Sequence, residues 1–109
     1  MKIKRIKTLT VMNTTFKVYW DKNYSQGATF SYQNKHHSES FLRIGLGNKE
    51  NDDVLLEYIL HELMEMCCIE LIVRYERFDV KGEYLFCYDH RQHTTLMTML
   101  AGALKQFIA

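Results

Sequence analysis

A chain of 109 residues has room for one domain and excludes a second. Apolar residues at 47% and charged residues at 25% are close to globular averages, which excludes a disordered chain. Fourteen Lys and Arg against thirteen Asp and Glu leave a net charge of +1, so there is no global electrostatic footprint for a nucleic-acid backbone.

In chain order, Lys2, Lys4, Arg5 and Lys7 surround Ile3 and Ile6. This reads as a solubilised edge strand rather than a phosphate-binding arm. No apolar stretch follows, so the start does not read as a targeting segment. Up to Leu46, apolar and polar residues alternate in short runs: Phe16, Val18 and Trp20, then Phe30 and Tyr32, then Phe41 and Ile44. Period two with aromatic and β-branched residues predicts three or four strands over about 2–46, mostly antiparallel. Asp21 to Gly27 has turn chemistry, and Gln33 to Ser40, with His36 and His37, is a polar connector exposed to solvent.

Asn51, Asp52 and Asp53 supply N-cap candidates for a helix over about 53–73, which contains neither Gly nor Pro. It is apolar around much of its circumference and therefore central. Glu57, His61, Glu62, Glu65 and Glu70 exclude it as a membrane span. Cys67, Cys68 and Cys87 form an odd set, and neighbouring Cys67 and Cys68 diverge by about 100° around a helix. Reduced, structural thiols in a cytoplasmic protein are the simplest account. A strand or hairpin is expected over about 74–88, turning at Gly82. Asp89 followed by Gln92 resembles a capping box for a last helix over about 90–107, with Leu96, Leu100, Ala103, Leu104 and Phe107 buried. The fold class is α+β: a small, mostly antiparallel sheet, a central motif-bearing helix and a C-terminal helix in one domain, 1–109.

The chemistry is concentrated in His61-Glu62-Leu63-Met64-Glu65. His61 and Glu65 stand one helical turn apart, about 5–6 Å between side chains, a spacing that lets imidazole and carboxylate share one Zn²⁺. Glu62, beside the first ligand, is the position of the general base in an H-E-x-x-H helix. A third ligand is sought in Asp89-His90-Arg91-Gln92-His93. Helical phase favours His93, close to the Leu96/Leu100/Ala103 stripe, whereas His90 at the strand-to-helix turn is freer to swing inward. Asp89 could cap the helix or accept from an imidazole N–H. Spacing does not separate the two histidines. The competing reading is a broad solvated helix face lined by Glu57, Glu62, Glu65 and Glu70.

The order of strands, a helix with Leu60-His61-Glu62-Leu63-Met64-Glu65, a strand running into Asp89-His90 and a final helix resembles the compact zincin-like metallopeptidases. It is similar in particular to short proteins of phages and mobile elements with a minimal H-E-x-x-H or H-E-x-x-E helix. The resemblance spans about 16–107 and implies zinc held by His61, Glu65 and His90, with Glu62 as base and a peptide or protein as substrate. Glu65 stands where the second histidine is usual. Such an enzyme also aligns its substrate along an edge strand, for which Phe41 to Leu46 is the candidate. The alternative is a non-catalytic interaction domain that uses exposed aromatics such as Tyr24 or Tyr75.

Overall fold

The alternating N-terminal segments form β1 (Thr8–Val11), β2 (Thr14–Asp21), β3 (Ala28–Ser31) and β4 (Phe41–Gly45) in a computed structural model that describes residues 1–109. One sheet holds all four in the order β1-β2-β4-β3. β1 runs antiparallel to β2 and β3 antiparallel to β4, but the central pair, β2 and β4, is parallel, with Val18 opposite Leu42 and Trp20 opposite Ile44. The sheet is therefore mixed. Alternation reveals that a strand exists and which face it buries, not which neighbour it pairs with. Leu9, Val11, Phe16, Val18, Leu42 and Ile44 point to one side and are buried. The run from Lys2 is extended only in part, since Ile3 makes an isolated bridge to Ile108 and the strand proper starts at Thr8.

The buried face of the sheet is covered by α1 (Asp52–Glu70), which contributes Leu55, Ile59, Leu63, Met66, Cys67 and Cys68 to the core. Asn51 is its N-cap, with a side-chain oxygen accepting from the Val54 N–H at 3.0 Å. Asp52 instead accepts from the Ile3 N–H, which ties the N-terminus to the helix. Gly45 and Gly47 permit the close approach of the turn between β2 and β3: a Cβ on Gly45 would lie 2.5 Å from the Gly27 carbonyl oxygen, and one on Gly47 2.7 Å from that of Tyr24. No helix is long and apolar enough to cross a membrane.

The motif helix stops at Glu70, three residues short of the expected end, because the chain closes a Schellman motif. Val73 N–H donates to the Cys68 carbonyl and Ile72 N–H to that of Ile69. This puts Ile72 at φ +60°, where glycine is usual and a β-branched residue is strained, with its side chain 76% exposed. Ile72→Gly is expected to stabilise the protein by about 1 kcal/mol, because relief of strain exceeds the added freedom of the unfolded chain. Urea unfolding checks this; a loss of stability would contradict it.

A two-stranded hairpin follows, β5 (Arg74–Glu76) and β6 (Tyr84–Phe86), paired antiparallel. Then comes α2 (His90–Leu104), continued by a 3₁₀ turn at Lys105–Phe107. The capping box is present: Asp89 Oδ1 accepts from the Gln92 N–H and Gln92 Oε1 from the Asp89 N–H, both at 2.9 Å. Leu96, Ala103 and Phe107 are buried, with Leu100 and Leu104 packed at the margin. Trp20 packs edge-on against Phe107 and donates to the Ile6 carbonyl, so it ties the two terminal segments together.

Candidate metal centre

Helical phase places His61 and Glu65 on one face of α1, and Glu62 about 100° around from His61. His61 Nε2 lies 2.9 Å from Glu65 Oε2, with the imidazole 69% exposed and the carboxylate 20% exposed. One ligand-type atom from each of His61, Glu62 and Glu65 falls within a mutual distance of 4.8 Å, the one such grouping of three His, Cys, Asp or Glu side chains in the chain. Two donors bound at about 2.0–2.2 Å around a tetrahedral ion sit roughly 3.3–3.6 Å apart. Admitting an ion between His61 and Glu65 therefore requires them to part by about half an ångström, which rotation of either side chain provides.

Glu62 differs from the other two in being buried, 8% exposed. It faces a groove of about 390 Å³ between α1 and β3, shared with Thr29, Tyr32 and Arg74. Burial, reinforced by the negative charge of Glu65 and opposed by Arg74, pushes its carboxyl up to about 7. A carboxyl poised there exchanges a proton readily at neutral pH. On the opposite flank of His61, a second cavity of about 540 Å³ is walled by Tyr84, Phe86 and Tyr88 from the hairpin and floored by Met64.

The structure does not bring His90 or His93 into this grouping. His90 is the first residue of α2 and is exposed. His93 is exposed as well, which corrects the preference for it that helical phase suggests: it stands in the first turn of α2, before the first buried residue Leu96, and its ring stacks on Tyr88 at 5.9 Å. Neither histidine thus joins His61 and Glu65 in this arrangement. Phe41 to Leu46 is corrected too. As β4 it lies between β2 and β3, so both its edges are paired and the free edge beside Glu62 belongs to β3. Asp89 serves as cap. His36 and His37 are exposed in the connector, as expected.

Two residues bordering Glu62 were not singled out from the sequence. Arg74 Nε lies 3.5 Å from Glu65 Oε1, and the Tyr32 hydroxyl is buried at the groove with no hydrogen-bond partner. Burial and the charge of Glu70 hold the Tyr32 phenol well above its usual range. Burial also pushes the Cys67 thiol up to about 11 and raises Cys68, which makes both poor nucleophiles. Comparison with protein-family models, with curated proteins and with solved structures finds no match.

Proposed function

We propose that the chain binds a divalent cation through His61 and Glu65 and hydrolyses peptide bonds with Glu62 as general base. The observation that carries this reading is the convergence of one exposed imidazole and two carboxylates, one of them buried with its carboxyl near 7. Buried carboxyls with raised values mark acid–base sites. The donor set of imidazole and carboxylate fits zinc first, and Mn²⁺ or Fe²⁺ next. When bound, the cation supplies Lewis-acid polarisation of the scissile carbonyl.

The rest falls to the chain's own groups. Glu62 takes a proton from the attacking water and returns it to the leaving amine, a transfer suited to its value near 7. The exposed side of His61 leaves the site open to substrate. The free edge of β3 borders Glu62 and offers unpaired backbone groups to an extended peptide. The test is a screen of quenched fluorescent peptides on zinc-loaded protein. Hydrolysis that falls at least about 100-fold in Glu62→Gln is expected. Hydrolysis undiminished in that variant, or none with any peptide or divalent metal, would overturn the catalytic reading.

A further inference from the structure

Arg74 opens β5 just beyond the turn that ends α1, and its side chain folds back toward the motif. Its guanidinium carbon lies 3.5 Å from the centre of the Tyr84 ring and 5.9 Å from that of Phe30. A guanidinium stacked this way keeps its N–H edge for acceptors lying in its own plane. Nε is 3.5 Å from Glu65 Oε1, and the side chain is only 14% exposed. At that distance the contact is a charge pair, and the buried Nε–H has no hydrogen-bond acceptor. The other oxygen of the same carboxylate, Oε2, faces His61 at 2.9 Å. Glu65 is thus divided between two partners, one oxygen to each.

We propose that Arg74 is a positioning residue: by engaging Oε1 of Glu65 it leaves Oε2 alone to ligate a cation with His61. The inference rests on the reading that His61 and Glu65 hold a divalent cation. A carboxylate free of Arg74 can turn both oxygens to a metal, whereas one clamped on Oε1 ligates through a single oxygen and keeps the coordination number low. The positive charge of Arg74 also opposes the incoming cation. Its contribution is therefore to geometry, and removing it does not weaken binding.

Cobalt(II) is the probe, because its visible absorption weakens as coordination number rises. The experiment compares Co²⁺-titrated wild type with Arg74→Gln and Arg74→Lys. Arg74→Gln is expected to bind Co²⁺ at least as tightly as wild type, with visible absorption lowered several-fold. Arg74→Lys, which keeps the positive charge near Oε1 but loses the planar stack on Tyr84, is expected to restore the spectrum in part. A residue that merely staples the hairpin to α1 would lower the melting temperature on substitution and leave the spectrum unchanged; that result overturns the inference while the metal site stands. If wild type takes up no Co²⁺, the proposed function falls and this inference falls with it. Should Arg74→Gln not fold, Arg74→Met, which keeps an apolar stem against Tyr84, gives the same comparison.

Discussion

Replacing Glu62 with glutamine makes the metal-free protein more stable at pH 8, by about 2–3 kcal/mol, while removing the proposed base. In the unfolded chain this carboxyl titrates near 4.5, and in the fold it is pushed up to about 7. Between those values the folded state holds a proton that the unfolded state has released. Its contribution to stability is therefore fully present below pH 4.5, is lost as pH rises toward 7, and stays lost above it. The glutamine amide does not ionise, so the variant and the wild type should match near pH 4 and separate progressively up to pH 7. Urea unfolding in chelator at pH 4, 6 and 8 measures this directly. Equal stability at pH 8, or a weaker variant, would show that the carboxylate is already paired or hydrated in the fold. A buried ionisable group that costs stability is the pattern expected of a functional position.

Phe107→Ala should cost about 3–5 kcal/mol, enough to bring a domain of this size close to unfolding. Phe107 is fully buried and packs edge-on against Trp20, with ring centroids 6.2 Å apart. Its carbonyl accepts from the Lys4 N–H, and the next residue bridges to Ile3. Truncation thus opens a cavity where both termini meet the sheet. Phe78→Ala, at a fully exposed position in the β5–β6 turn, is the matched control and should shift stability by less than about 0.5 kcal/mol. A loss below about 1 kcal/mol for Phe107→Ala would mean that the terminal segment is dispensable to the core.

What was legible beforehand follows the range of each interaction. The pairing of His61 with Glu65 depends on one helical turn, and the capping box at Asp89 on three residues, so both were readable locally. The burial of Glu62 depends on β3, far upstream in the chain, and on the parallel pairing that sends β3 to the free edge; periodicity carries neither. Arg74 reads as the first residue of a strand, and only the turn through Ile72 shows that it reaches back to Glu65. Helical phase places His93 on the side of Leu100 and Leu104, but it stands in the first turn of α2, one turn before Leu96, the first buried residue of that helix; phase does not tell how far along a helix the core extends. The end of α1 is not legible in the sequence because an isoleucine occupies the position where glycine signals a stop.

The account's central claim is that His61 and Glu65 hold a divalent cation. Metal content by mass spectrometry tests it most directly, on purified wild type, His61→Ala and Glu65→Ala, each incubated with zinc and desalted. The account predicts about one zinc per chain in wild type and a loss of it in both variants, with all three proteins folded. Equal zinc in the variants, or none in wild type, would contradict it and leave the pair as an ordinary ion pair on a solvated helix face.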